Sequence, residues 1–280
     1  MHDLEALKAL IVADQTLRGQ PISKMGYFCQ PFRPRDGPYS DCVVKVYRGL
    51  KNHVALRRLE ACHADYVAVL HQTGVPVPET AFYLLEFGRD LVPVIVQQAL
   101  PEQSMMRAQM VVAQTVQAVT LLEAGAIVIA DFWSNVDPAG PRVGFHPSIR
   151  NFAIVEDRAI FFDTFPPLIH YDRIEMGRML LQFSEKRLMR VLGPFVRGTV
   201  TSIQDEWYSP AETFVGLVGS ACRLRPDDRA VFLEWGNDFV IRRMGRWADE
   251  AQAGLRAPPQ LPGYWTAMRK VLGLQGAPNI

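Results

Sequence analysis

Residues 146–165 read HPSIRNFAIVEDRAIFFDTF, and this stretch decides the fold. FAIV at 152–155 and AIFF at 159–162 are rich in β-branched and aromatic side chains. The polar triplet Glu156-Asp157-Arg158 separates them, so the stretch reads as two short strands closed into a hairpin. Asn151 stands just before the first strand and Asp163 just after the second. A hairpin therefore brings an amide and a carboxylate close together. His146 lies five residues before Asn151, beside a proline. Phe161, Phe162 and Phe165 read as core rather than as a stacking surface.

Upstream, Pro101 and Ser104 precede a helix expected over 105–123 and stopped by Gly125. An apolar run at 126–130 ends in Asp131, and 132–144 reads as a loop holding Asn135, Asp137, Pro138, Gly140 and Pro141. The first part of the chain has a different texture. Leu4, Leu7, Leu10 and Ile11 recur at helical spacing. Residues 20–40 are rich in Pro, Gly and aromatics and read as short strands and turns. CVVKVY at 42–47 reads as a strand, and a helix capped by Asn52 follows, with Leu56, Leu59, Cys62, His63, Tyr66, Val69 and Leu70 on one face. Gly74, Pro76 and Pro78 end it. Strands at 80–87 and 91–97 flank a Gly88-Arg89-Asp90 turn. Gln97-Gln98-Ala99-Leu100-Pro101 reads as a hinge, which sets expected domains at 1–98 and 99–280. Downstream of Pro166-Pro167 the chain reads as mostly helical to Arg246, with breaks at Gly193-Pro194, Ser209-Pro210 and Pro226. Asp172 reads as the cap of the first of these helices.

Lysine is scarce, at six residues, and Lys45 is centred in an apolar strand. A buried cation is costly unless paired, so Lys45 calls for a carboxylate such as Glu60, fifteen residues on in the next helix, or for a phosphate. Asn151 and Asp163 offer hard oxygen donors of the kind Mg²⁺ takes, few of which need to come from protein. Each residue also has a plain structural reading. Lys45 as a snorkelling edge-strand lysine, Glu60 on a solvated helix face, and Asp131, His146, Asn151 and Asp163 as turn or cap residues are the alternatives.

The order of Lys45, Glu60, the 146–151 loop and Asp163 resembles the protein-kinase-like fold, in its small-molecule branch of aminoglycoside and choline-type phosphotransferases. The resemblance covers roughly residues 22–167. It implies an α+β, two-lobed architecture with a β-rich N-lobe and a mainly helical C-lobe. It also implies that Lys45 grips nucleotide phosphates and is held by Glu60, and that Asn151 and Asp163 bind metal ions. ATP and Mg²⁺ are the implied cofactors, and the implied function is phosphoryl transfer to a small hydroxylated metabolite. The chain departs from the family in two places. Gly26, nineteen residues before Lys45, is the one glycine at a plausible distance for the phosphate loop. His146 stands where the family has its catalytic Asp, five residues before Asn151. Asp131 and His146 are the two candidate bases, and Asp131 is favoured because an Asp needs little tuning to be ionised at neutral pH. The alternative function is a catalytically silent kinase-like module that binds a nucleotide or a partner protein.

Composition narrows the partners. The 280 residues carry 30 basic and 29 acidic side chains, a net charge of +1, which argues against a nucleic-acid binder or a polybasic membrane anchor. The longest apolar stretch, at 124–130, is far short of a bilayer span, and the N-terminus MHDLEALKAL lacks a signal-peptide pattern. Cys29, Cys42, Cys62 and Cys222 form no CxxC pair and read as reduced thiols of a cytoplasmic protein.

Overall fold

A computed structural model describes residues 3–13, 29, 31–183 and 206–256. The architecture is mixed α+β, with a small antiparallel sheet, a separate hairpin and many helices. The chain divides into two discontinuous units. One comprises Met1–Asp65, Pro78–Ala99 and Tyr171–Gly198, and the other Tyr66–Val77, Leu100–His170 and Thr199–Ile280.

The first unit is built on a three-stranded antiparallel sheet in the order β1-β3-β2, from β1 (Cys42–Val46), β2 (Thr80–Phe87) and β3 (Asp90–Gln98). Phe87 pairs with Asp90 across a two-residue turn, and Gly88 takes the left-handed φ of +63°. Side chains alternate across the sheet. One face places Cys42, Val44, Val94, Val96 and Leu85 against Leu7 and Ile11 of helix α1 (Leu4–Val12). Asp3 caps α1 by accepting from the backbone N–H groups of Glu5 and Ala6, as an acceptor at a helix start should. Pro93 sits inside the central strand, where a proline is normally excluded. Within an antiparallel strand, a residue's N–H and C=O point to the same neighbour. The Pro93 carbonyl accepts from Tyr47, just past the end of β1, so the missing donor falls where the ladder has already stopped.

Helix α2 (His53–Gln72) starts on the Asn52 cap, with Ala55 N–H donating to Oδ1 at 3.0 Å. It ends in a Schellman arrangement in which Val75 N–H reaches the Leu70 carbonyl and Gly74 adopts φ +80°. The boundary between the units falls within this helix. Helix α5 (Arg173–Phe183) has the expected Asp172 cap, whose carboxylate accepts from the N–H groups of Ile174 and Glu175. Arg58 grips the Glu175 carboxylate through two bonds of 2.7 and 2.9 Å.

In the second unit, the expected helix over 105–123 is two helices, α3 (Met106–Val112) and α4 (Thr115–Asn135). Extended backbone at Ala113 and Gln114 parts them, and Gln114 and Gln117 exchange bonds as a capping box. Gly125 does not stop α4. A methyl group there would sit 3.5 Å from Met106 and 3.6 Å from Leu217, ordinary contact distances, so the helix runs on through a buried position packed against both. The expected loop likewise starts later, because 132–135 belong to α4 and Phe132 and Trp133 are buried. Helix α4 is long and apolar enough by length and composition to cross a membrane. A search for contiguous apolar runs misses it because Glu123 and Asp131 interrupt the pattern. It packs against α6 (Pro210–Leu224), which packs in turn on α7 (Arg229–Arg243) and α8 (Ala248–Arg256).

The hairpin of β4 (Phe152–Val155) and β5 (Arg158–Phe161) forms as expected, in a tighter version. Val155 pairs with Arg158, and Glu156 and Asp157 alone make the turn with φ of +50° and +61°, both left-handed as a type I′ turn requires. Phe132, Phe145, Phe152 and Phe161 form a contiguous buried cluster, with Phe145 and Phe161 4.4 Å apart between centroids. Phe161 and Phe165 are core, as the sequence implies.

Candidate functional site

The hairpin fixes the residues at its open end. Phe162 N–H donates to the Asn151 carbonyl at 3.0 Å, extending the β4–β5 pairing by one step and leaving Asp163 at its edge. The loop before it, 144–151, is pinned along its length. Gly144 N–H donates to the Leu168 carbonyl at 2.8 Å, and the Gly144 carbonyl accepts from the Tyr66 hydroxyl at 3.1 Å. Phe145 N–H donates to the Trp207 carbonyl at 2.7 Å. Ser148 closes a single tight turn over Ile149–Asn151.

Three expected residues meet at this point. His146 Nδ1 donates to Asp163 Oδ2 at 3.1 Å, and Asn151 Nδ2 donates to the His146 carbonyl at 3.2 Å. An ionised carboxylate only accepts, so the proton of this bond sits on Nδ1 and Nε2 is the ring nitrogen left to act. The two side chains are 28% and 27% exposed, which leaves them reachable by solutes while partly shielded from water. The Trp207 indole lies 4.6 Å from the imidazole, tilted by 41°. Tyr66 beneath is fully buried, and its hydroxyl is driven well above the ordinary tyrosine range by burial first and by the Asp163 charge second.

Asn151 commits its amide nitrogen to the His146 carbonyl, and Asp163 commits one carboxylate oxygen to the His146 ring. Among the described residues, no group of three or more His, Cys, Asp or Glu side chains is arranged for a metal.

Asp131 lies elsewhere in the second unit. It stands on the exposed stripe of α4 with Ile127, Ser134 and Asn135, and its carboxylate bonds Arg243 of α7 at 3.0 Å rather than any member of the loop. The helical period explains this placement, since Ile129, Ala130, Phe132 and Trp133 take the buried directions.

The other expected residues belong to the first unit. Lys45 is 9% exposed and donates to Gln97 Oε1 at 3.1 Å. Gln97 in turn donates to the Thr80 hydroxyl at 2.9 Å. Glu60 pairs with Arg57 at 3.1 Å on an exposed helix face. His63 packs its ring 5.0 Å from Phe82, and its pKa is pushed down to about 3 by burial and then by the Lys45 cation. Gly26 lies outside the described residues.

Gln97, Thr80 and Trp207 were not anticipated. Gln97 was legible in principle. It lies opposite Val43, so the two-residue strand period puts it on the same face as Lys45. Trp207 was not, because no periodicity links it to a loop some sixty positions earlier.

A sequence model described as a family of unknown function, DUF6206, matches residues 6–276. No curated protein matches the chain.

Proposed function

We propose that this chain, which belongs to the DUF6206 family of unknown function, is an ATP- and Mg²⁺-dependent phosphotransferase acting on a small hydroxylated metabolite. The fold reading that goes with it is a divergent, two-lobed protein-kinase-like architecture. The observation that carries the reading is the His146–Asp163 hydrogen bond at the open end of the hairpin, with Asn151 fastened to the His146 backbone.

A base held by a third group is the arrangement that proton abstraction requires. With Nδ1 on Asp163, His146 Nε2 takes the proton of an acceptor hydroxyl as its oxygen bonds to the γ-phosphorus of ATP, the bond from that phosphorus to the β-phosphate oxygen breaks, and ADP leaves. Asn151 and Asp163 are the residues that would hold Mg²⁺, which when bound neutralises phosphate charge. Lys45, buried in the sheet, is the residue to which the resemblance assigns the phosphate-binding charge. The four buried free thiols fit a reducing cytoplasm, and the near-neutral charge fits a small-molecule acceptor rather than nucleic acid or a membrane.

A second reading has its own observation. A histidine replaces the family's aspartate, and Asp131 is engaged with Arg243. These favour a silent module that binds a nucleotide or a partner protein. Thermal melting with and without ATP–Mg²⁺ is the first test, because binding to the native state raises apparent stability. Stabilisation plus ADP formation with a hydroxylated acceptor supports the enzyme. Stabilisation without turnover on any acceptor supports the silent module, and no stabilisation removes both nucleotide readings.

A further inference from the structure

We infer that Trp207 is a positioning residue for His146, holding the loop through its carbonyl and the imidazole plane through its indole. For the reaction it serves, this rests on the phosphotransferase reading; the contact itself does not. Asp163 alone fixes one atom of the imidazole, and a ring held by one hydrogen bond still pivots about it. A face contact removes that freedom, and the indole 4.6 Å away supplies one. The Trp207 carbonyl independently secures the residue before His146, through Phe145 N–H at 2.7 Å.

The 207–208 segment is seated on the loop closely enough to dictate its sequence. A methyl group on Gly144 would stand 2.8 Å from the Trp207 carbonyl oxygen and 3.0 Å from two carbons of the Tyr208 ring. A backbone oxygen cannot yield as a flexible side chain does, so this loop position requires glycine. Arg142, two residues earlier, places its guanidinium 3.9 Å from the centre of the Tyr208 ring, a second contact between the loop and the segment. Trp207 and Tyr208 thus form a strap across 142–146. The strap keeps Nδ1 on Asp163 and Nε2 aimed at one point. Misplacing a base by about 1 Å can cost on the order of 100-fold in rate, so the strap matters to chemistry without touching substrate.

The test compares Trp207→Ala with Trp207→Phe. Histidine ¹⁵N–¹H correlation spectra, with His146 assigned by His146→Ala, read the Nδ1 proton directly. Trp207→Ala should lose that ordered proton signal and lower kcat at least tenfold with the KM for ATP unchanged, while Trp207→Phe keeps the signal and most of the turnover. An unaltered Nδ1 signal in Trp207→Ala overturns the proposal. If Trp207→Ala does not melt cooperatively, indole emission decides. His146→Ala should change the emission of the native chain but not of Trp207→Phe, and an identical change in both backgrounds overturns the contact. Absence of ATP–Mg²⁺ stabilisation in the native chain would fail the phosphotransferase reading alone, since the spectra still report on the ring.

Discussion

Lys45 and His146 each bond a neighbouring side chain at 3.1 Å, yet the two settings are physically opposite. Lys45 is buried on the face of a sheet and donates to the neutral side-chain amide of Gln97. His63 has its pKa pushed down to about 3, by burial first and by the Lys45 charge second. His146 is more than a quarter exposed and faces a carboxylate. Lys45 is thus set inside a buried polar network with Gln97 and Thr80, whereas His146 is open to solutes. Under the phosphotransferase reading proposed above, the first would serve binding and the second chemistry.

The largest expected effect separates them on that basis. His146→Ala should lower turnover by about 100- to 10,000-fold, the usual span of general-base catalysis, while ATP–Mg²⁺ stabilisation stays as in the native chain. Steady-state kinetics alongside thermal melting decide this, and a loss of nucleotide protection instead would collapse the distinction. Lys45→Met should do the reverse at the binding step, abolishing ATP protection with the fold retained. Losing the ammonium leaves the buried Gln97 oxygen without this donor, so stability without ligand should fall by about 1–3 kcal/mol while the melt stays cooperative.

The third expectation concerns acid. The pKa of His63 is depressed in the fold, so it stays neutral while the unfolded chain binds a proton below about pH 6.5. Stability is therefore complete above that pH and falls as pH drops toward 3, by up to about 1.4 kcal/mol per pH unit. Denaturant melts of the native chain and His63→Phe over pH 3–7 should diverge in slope; parallel curves would show that His63 is not buried neutral. Smaller is the contribution of Glu175, brought down to about 2 by its hydrogen bonds from Arg58. It is present above the ordinary carboxylate range and lost as pH falls toward 2, and exposure to solvent limits it to less than about 1 kcal/mol. Arg58→Ala in the same titration measures it.

The smallest effect expected is at Asp131. Its pair with Arg243 joins side chains that are 51% and 44% exposed, and such pairs contribute about 0–1 kcal/mol. Asp131→Asn should leave both stability and turnover close to native, which contrasts it directly with His146→Ala. A large loss of turnover in Asp131→Asn would transfer the role of base to that residue.

Local pattern determined much of this protein. Strand alternation at 42–47 and 80–98, the Asn52 and Asp172 caps, the Gly74 stop and the 152–161 hairpin all depend on neighbours within a few residues, and all are in the structure. The closeness of Asn151 to Asp163 follows too, because a hairpin converts sequence distance into pairing. Packing decided the rest. Gly125 reads as a helix stop by propensity, but this turn of α4 is buried against Met106 and Leu217, and that burial outweighs the roughly 1 kcal/mol that glycine costs a helix. Asp131 follows an apolar run whether its helix ends there or continues, and only the rotation of α4 shows that it points to Arg243. The choice of Gln97 for Lys45 and the seat of Trp207 over His146 are contacts between distant segments. The strand period puts Gln97 on the face of Lys45 without selecting it, and no period encodes Trp207, because the energy that brings such segments together is non-directional burial, and which polar groups then meet depends on the assembled core.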